Sequence, residues 1–328
     1  MTRLPFSGRR GMIFLIGALF LVAVALIVVA AQRSPTEADR AQSAQTRIAT
    51  MNDFLRDFNV DSERAAYIAT YHALIAIEQH VTENGAYRSD LDVAFREAFL
   101  DGTINGTAYA VMENSTFNDY VQRVNVEARK LGFALAANVT DVALSQRTPW
   151  SVHVTYALAV NLTDTRRLAR WDSEGVLDAD VPILDLRDPV YSVSTYGKVP
   201  NTIRKSPYGL AELVVGNDTA NLNDEAVHMY YREDPYAPSY LQRLAGDLSP
   251  SVKYGIASLV NLDELNAQGV IVKNGVSTVD YLYFNGTGTT NYCPAFGDPL
   301  PSWLKIDEGH YLDPLRNYEL DDLNATTC

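Results

Sequence analysis

The residues best suited to acid–base or metal chemistry in this chain are its five histidines. They are His72, His80, His153, His228 and His310. Helical zinc motifs place two histidines four residues apart, and neither that spacing nor a zinc-protease motif occurs here. His72 and His80 are eight residues apart in a predicted helix, so they can share a face but not a metal ion. We therefore predict structural roles for the histidines and no metal site.

The carboxylates suggest a second chemistry, the binding of a hard cation such as calcium. Asp178 and Asp180 stand close together in sequence, as do Asp185 and Asp188. No EF-hand loop encloses these four residues, and we favour solvated carboxylates in turns. A carboxylate pair for glycoside hydrolysis meets in space and not in sequence, so 40 acidic residues give no specific pair.

Motifs for nucleophilic catalysis and for nucleotide binding are missing from the sequence. There is no Gly-x-Ser-x-Gly elbow and no phosphate-cradling loop. Gly286-Thr287-Gly288 resembles the start of a dinucleotide loop but lacks the third glycine and the following helix. We predict no catalytic residues, no cofactor and a function that is not enzymatic.

Nineteen tyrosines are the remaining chemical feature. Clusters such as Tyr230-Tyr231 and Tyr281-Leu282-Tyr283 could build an adhesive or glycan-stacking surface, because a tyrosine ring offers both an apolar face and a hydroxyl. The alternative places them on amphipathic strands that face the core or its rim, and we favour that alternative.

Composition and charge limit the classes of partner. The chain has 328 residues, is 47% hydrophobic and carries a formal net charge of −13, with no basic cluster outside the extreme N-terminus. The apolar content predicts a folded core. Nucleic-acid binding needs concentrated lysine and arginine, so we predict no nucleic-acid partner.

The two cysteines, Cys293 and Cys328, predict one disulfide in an exported chain. The bond would close a loop of about 35 residues, and loop entropy gives it a stabilisation of about 3–4 kcal/mol. Two unpaired buried thiols are the alternative.

Seven Asn-x-Ser/Thr sequons occur, where chance would give about two. Glycans at such sites require surface positions in an exported chain, so the excess predicts a glycosylated, extracellular region. The asparagines are Asn105, Asn114, Asn138, Asn161, Asn217, Asn285 and Asn324.

The N-terminal segment determines whether the predicted extracellular region is anchored in a membrane. Arg3, Arg9 and Arg10 precede an uncharged run over residues 11–32, which has about the length that a helix needs to cross a bilayer. The flanking charges predict a single-pass protein of the cell membrane, with a transmembrane helix over residues 12–31, a cytoplasmic N-terminus and an extracellular remainder. A signal peptide cut after Ala30 or Ala31 is an alternative, although its apolar part would be unusually long.

The junction Arg10-Gly11-Met12-Ile13 resembles the class III leader of archaeal type IV pilin-like proteins. In that family a prepilin peptidase cuts after the small residue, and the apolar helix stays on the mature protein. The resemblance implies cleavage between Gly11 and Met12, and contacts with like subunits through the N-terminal helix. The chain departs from the bacterial motif, because Ile16 stands where a glutamate is usual.

Three further blocks look like parts of uncharacterised archaeal pilin-like surface proteins, which have no assigned chemistry. These blocks are residues 185–191, 239–246 and 279–284. They imply a pilin-like design over most of the chain and supply no catalytic residues.

The pattern after the apolar run predicts helices first. Residues 37–84 lack glycine and proline and predict one or two long helices, with a cap at residues 61–63 that would start a second helix over 64–81. Further helices are predicted at 91–100 and 117–131. An apolar seam along the first helix is expected to pack on the chain's own domain. It comprises Ala41, Ala44, Ile48, Met51, Leu55 and Phe58.

Strands are predicted beyond residue 138. Alternation over 150–161 predicts a strand with one buried face, paired with 139–144, and shorter strands are predicted at 167–171 and 176–186. Residues 269–284 predict a hairpin with an Asn-Gly turn, while 239–245 and 256–265 predict short helices. The fold class is α+β. The predicted regions are a leader (1–11), a membrane helix (12–31), a helical region (32–135) and a β-rich head (136–328).

Together these features predict a glycosylated, single-pass surface protein of pilin-like design, acting as a structural or adhesive subunit. The alternative is a membrane-anchored extracellular module that binds a solute, a glycan or a surface partner.

Overall fold

The computed structural model describes residues 8–32, 37–286, 290–293, 300–312, 318 and 326–328. The helices are α1 (Gly8–Gln32), α2 (Glu37–Asn84), α3 (Leu91–Asp101), α4 (Phe117–Lys130), α5 (Pro189–Ser194), α6 (Ala220–His228), α7 (Tyr240–Ala245), α8 (Leu262–Ala267), α9 (Asp280–Asn285) and α10 (Glu308–Leu312). The strands are β1 (Thr103–Ile104), β2 (Thr107–Ala108), β3 (Phe133–Thr148), β4 (Ser151–Asp164), β5 (Arg170–Pro182), β6 (Tyr231–Glu233), β7 (Ile256–Ser258), β8 (Asn291–Cys293), β9 (Ile306–Asp307) and β10 (Thr326–Thr327). The sheets are antiparallel, and the α+β class is confirmed.

Helix α2 runs without a break for 48 residues, so the predicted second start at residues 61–63 is wrong. Ser62 does not cap a helix. It is buried, its hydroxyl donates to the carbonyl of Asn59 at 2.7 Å, and it lies 3.2 Å from the hydroxyl of Tyr156 on β4. A residue type that favours helix caps is used here to join the helix to the sheet.

The apolar seam of α2 divides into two parts. Met51 and Phe58 are buried in the main core, whereas Ala41 and Ile48 are exposed. The expected packing on the chain's own domain is therefore confirmed from Met51 onward. Before Met51 the exposed seam residues lie outside the core, and Arg47 reaches the sheet.

Strands β3, β4 and β5 form one three-stranded antiparallel sheet with β4 in the centre. The alternation over 150–161 is confirmed, since Val152, Val154 and Tyr156 are buried on the side that meets α2. The predicted strands at 167–171 and 176–186 are one strand, β5, paired with β4 from Arg170 to Pro182.

Arg47 fastens the start of the packed part of α2 to the sheet. Its guanidinium donates to a carboxylate oxygen of Asp164 at 2.8 Å and to the carbonyl of Gly132 at 2.9 Å, and it lies 4.3 Å from the ring centre of Phe133. Asp164 is fully buried, so its carboxylate depends on these donors. Burial alone would raise the pKa of Asp164, but the hydrogen bonds from Arg47 and from backbone amides lower it.

Replacing Arg47 with methionine is expected to destabilise the protein by about 1.5–3 kcal/mol, because a charge-assisted hydrogen bond to a buried carboxylate is lost. Chemical denaturation of the purified chain measures the change. Arg56→Met is the matched control, because Arg56 lies on the same helix with its side chain 69% exposed. Equal stability of the two variants would contradict the fastening role of Arg47.

The C-terminal half departs most from the sequence predictions. The predicted hairpin over 269–284 is wrong, because α9 occupies its second half and its first half forms no strand. The predicted helix over 256–265 is β7 followed by α8, which Asn261 caps by accepting from the amide of Glu264. The helix predicted at 239–245 is confirmed as α7, with a capping box between Ser239 and Gln242.

The disulfide between Cys293 and Cys328 is confirmed, with Cα atoms 5.6 Å apart. It joins β8 to the residue after β10, and these two strands pair with each other. The end of the chain is thereby fixed to the sheet of β8, β9 and β10.

Helix α1 covers the predicted membrane segment. In the part of the chain that the structure describes, no helix combines the length and the apolar character required to cross a bilayer, so the predicted span over 12–31 has no support from the structure. Within α1, every side chain from Phe14 to Val29 is exposed.

Candidate functional site

A cavity of about 320 Å³ lies in the C-terminal half, beside β6 and the short helix α10. A larger hollow of about 720 Å³ lies near Tyr87, but no charged side chain lines it. Small-ligand sites combine aromatic walls with a few fixed polar groups, and the smaller cavity fits that description. Its lining comprises Trp150, Lys205, Ser206, Tyr208, Leu210, Tyr231, Arg232, Glu233, Asp234, Ala257, His310 and Tyr318.

The floor of the cavity is a buried imidazole held between two carboxylates. Nε2 of His310 lies 2.8 Å from Asp234, and Nδ1 lies 2.7 Å from Asp307. Asp307 ends β9 and also accepts from the hydroxyl of Ser277 at 3.0 Å. Asp234 follows β6 and accepts from the amide of Tyr236 at 2.8 Å.

This arrangement favours the charged form of His310. Burial, the largest influence, would lower the pKa of His310, but hydrogen bonds and charges from Asp234 and Asp307 outweigh it and the pKa is raised. Both ring nitrogens then donate to carboxylates, and neither can accept a proton from a ligand. His310 and Asp234 line the cavity, and Asp307 holds the ring from outside the lining.

Arg232 forms one wall, and its guanidinium is held by several hydrogen bonds. It donates to the hydroxyl of Ser206 at 2.8 Å, to the carbonyl of Tyr208 at 3.2 Å and to the buried carboxylate of Glu225 at 3.2 Å. Burial raises the pKa of Glu225, against the opposing effects of Ser206 and Arg232. This wall is fixed by its own hydrogen bonds.

The rim of the cavity carries a donor and an acceptor side by side. The indole Nε1 of Trp150 donates to Glu233 at 2.6 Å, which sets the position of that carboxylate. The ammonium of Lys205 lies 4.0 Å from Glu233 and 5.2 Å from the ring centre of Trp150. Both charged side chains are more than half exposed, so they can reach a ligand.

A second buried ionic network lies behind Tyr231, which is itself part of the cavity wall. The hydroxyl of Tyr231 donates to Asp188 at 2.7 Å, and Arg243 donates to the same oxygen at 2.6 Å. Arg243 also contacts Asp280 at 3.0 Å and at 3.2 Å, and Asp280 accepts from the hydroxyl of Ser258 at 2.9 Å. Arg243 and both carboxylates are completely buried.

The structure gives Asp185 and Asp188 different surroundings but places Asp178 and Asp180 beside the same ring. Asp188 is not a solvated turn carboxylate, because it is buried against Arg243 and caps α5. Asp180 lies 2.8 Å from Nδ1 of the buried His153, Asp178 lies 3.8 Å from Nε2 of that ring, and Asp185 is exposed. Among the described residues, no group of three or more potential ligands could hold a metal ion.

The other histidines lie apart from the cavity lining. Nδ1 of His80 lies 2.7 Å from the hydroxyl of Tyr109, and His228 lies 2.8 Å from Asp224. Burial lowers the pKa of His72 and is also the main reason that the pKa of His80 is lowered.

The sequon asparagines lie mostly at the surface. Asn161 is half-buried in β4, and its side-chain amide donates to Asp172 at 2.5 Å. Asn324 lies outside the described residues. The exposed sequon asparagines are Asn105, Asn114, Asn138, Asn217 and Asn285.

The two residues of the predicted processing site, Gly11 and Met12, lie within α1. The structure does not bring them near the cavity lining.

Sequence reasoning missed the residues that build the cavity floor. Asp307 and His310 are three residues apart, a local spacing that could have suggested a contact, but Asp234 lies 76 residues before His310. Arg243 meets Asp188 and Asp280 across 55 and 37 residues. Comparison of the chain with protein-family models, with curated proteins and with solved structures gives no match.

Proposed function

We propose that this chain is a membrane-anchored surface subunit of pilin-like design, with a structural or adhesive role. The observation that carries the proposal is the division of α2. From Arg47 onward the helix contacts the antiparallel sheet, while the exposed Ala41 belongs to an earlier stretch that is not buried against it. A long N-terminal helix whose second half lies on a β head is the plan of type IV pilin-like proteins.

The side chains of α1 support the same proposal. From Phe14 to Val29 they are exposed, and almost all of them are apolar. A helix that is apolar on all sides needs lipid or other protein around it. In this proposal α1 is the anchor, it contacts α1 of like subunits on assembly, and the glycosylated head faces outward.

We predict that the mature protein starts at Met12. The measurement is N-terminal mass spectrometry of the chain purified from a host with an active prepilin peptidase. Gly11→Val should leave the leader attached, because a β-branched side chain replaces the small residue before the cut. Gly17→Val is the matched control on the same helix, where nothing lies within 4 Å of an added Cβ, and it should be processed normally.

A mature protein that begins at any other residue would contradict part of the proposal. An intact leader in that host would exclude the filament role and leave a plain anchor. A start near Ala31 or Gln32 would make the chain a secreted domain and overturn the anchor as well. Electron microscopy of the cell surface, with and without the gene, then tests whether a correctly processed chain enters filaments.

A further inference from the structure

We propose that the cavity beside β6 binds a neutral sugar ring through two of its adjacent hydroxyl groups. This inference goes beyond the surface-subunit role and holds whether or not the chain enters a filament. Three observations carry it: the rigidity of the walls, the paired donor and acceptor at the rim, and the balance of charge around the lining.

Two buried ionic networks hold the walls of the cavity in place. His310 and Asp234 belong to one buried ionic network, and Tyr231 hydrogen-bonds into the other through Asp188. Buried ion networks are costly to form and fix the groups that take part in them. Two such networks meet at this one cavity, so its shape is set before a ligand arrives, which lowers the entropic cost of binding.

The rim offers the hydrogen-bonding pattern of a vicinal diol. Glu233 accepts from Trp150 through Oε1, while Lys205 has no charged neighbour other than Glu233 among the described residues. One hydroxyl of a sugar can donate to Glu233 while its neighbour accepts from Lys205. The aromatic rings of Trp150 and Tyr208 line the same space and offer apolar surface for the C–H face of the sugar.

The charges argue for a neutral ligand. Each cation at the cavity already has a carboxylate partner: Lys205 has Glu233, Arg232 has Glu225, and His310 has both Asp234 and Asp307. An anion therefore finds no unpaired cation among these residues, and a cation finds no exposed carboxylate except Glu233, which already lies beside Lys205. The volume of about 320 Å³ lies at the lower end for small-ligand sites and limits the ligand to one or two sugar units.

The test uses the full chain in lipid nanodiscs, because maltoside and glucoside detergents would compete as sugars. Methyl α-mannoside and methyl β-galactoside are the neutral probes, with choline and inorganic phosphate as charged comparators. Saturation-transfer NMR detects binding, and tryptophan fluorescence follows the titration. We expect saturable binding of at least one neutral glycoside and none of the charged probes.

Two conservative variants locate the site. Lys205→Met and Glu233→Gln should each weaken glycoside binding roughly tenfold or more, since each removes a hydrogen bond to a charged group. Lys253→Met and Glu174→Gln replace exposed residues of the same types away from the cavity and should leave binding unchanged. Circular dichroism and the thermal midpoint confirm that all four variants are folded.

Three outcomes would overturn the proposal. The wild-type chain could bind neither glycoside, the rim variants could bind as tightly as the wild type, or a charged probe could bind and be lost in the rim variants. The first outcome leaves the processing at Gly11–Met12 untouched, so failure here and failure of the surface-subunit proposal are distinguishable.

Discussion

Replacing Arg243 with methionine is expected to lower the free energy of unfolding by about 3–5 kcal/mol, the range for breaking a buried ion pair by removing one partner. This is the largest effect that we predict for a single substitution in the described part of the chain. Chemical denaturation followed by circular dichroism measures it.

The predicted loss of stability is large because removing Arg243 leaves two buried carboxylates without their cation. Arg243 and both of its carboxylate partners are fully buried, and its guanidinium also donates to the carbonyl of Ile256. Burial alone would lower the pKa of Arg243, but Asp188 and Asp280 raise it, so the arginine is charged throughout the stable range of the protein. Without it, Asp188 and Asp280 would face each other with no cation between them.

The loss should depend on pH in a defined direction. Burial raises the pKa of Asp280 even in the presence of Arg243. In Arg243→Met the folded chain would bind a proton at Asp280 more readily than the unfolded chain does. The stability deficit should therefore shrink as the pH falls, the reverse of the usual loss of stability in acid.

A second substitution separates this mechanism from a general packing defect. Asp280→Asn in the Arg243→Met background removes one stranded charge and should recover part of the lost stability, so that the double variant is more stable than Arg243→Met alone. Arg204→Met is the control. It replaces an exposed arginine next to Lys205, and it should change the free energy of unfolding far less than Arg243→Met does. If the double variant were less stable than Arg243→Met, by the amount that Asp280→Asn costs alone, the ionic explanation would be wrong.

The helices of the N-terminal half and the central strand could be predicted because their patterns are local. The glycine- and proline-free run over 37–84 and the alternation over 150–161 each depend on neighbouring residues alone. The exception within α2 is Ser62, whose residue type favours a cap. Its inward position is set by Tyr156, 94 residues away, and no local pattern reports that contact.

The C-terminal half could not be predicted in the same way, because distant charges decide its structure. Residues 269–284 carry the hairpin signals of alternating apolar residues and an Asn-Gly turn. Asp280, however, must reach Arg243, and the amide of Lys273 donates to the hydroxyl of Tyr283 at 2.8 Å. These tertiary contacts place a helix where the local pattern favours a strand.

The cavity was beyond sequence reasoning for the same reason. Its lining comes from Trp150 in the turn before β4, from residues between Lys205 and Leu210, from β6 and from α10, which are far apart in the chain. His310 was assigned a structural role from its isolation in sequence. In the structure its ring lies between two buried carboxylates, which its sequence neighbours do not reveal.

The second large effect concerns that histidine. His310→Gln is expected to lower the free energy of unfolding at about pH 6 by about 3 kcal/mol, because two buried carboxylates lose their cation. Glutamine keeps a hydrogen-bond donor in the site, so the change isolates the charge better than alanine would. Urea denaturation across a series of pH values measures both the loss and its pH dependence.

The direction of the pH dependence follows from the two pKa shifts. The pKa of His310 is raised by Asp234 and Asp307 against the effect of burial, so its contribution is complete below the unfolded value of about 6.5 and is lost as the pH rises through the folded pKa. The pKa of Asp307 is lowered by His310 against the effect of burial, so its contribution is lost as the pH falls through the folded pKa. The network should stabilise the fold most between these two limits.

The difference between wild type and variant should therefore narrow as the pH rises above about 6.5, where the unfolded chain gives up this proton, and should be lost once the pH passes the raised folded pKa of His310. His228→Gln is the matched control, since His228 lies 2.8 Å from Asp224 but its side chain is 47% exposed, and solvent weakens such a pair. A difference that stays constant from about pH 6 to 9 would mean that folding does not raise the pKa of His310, so that its ring is largely uncharged at neutral pH. The floor of the cavity would then hold two carboxylates sharing one uncharged ring, and the charge balance that favours a neutral ligand would no longer hold.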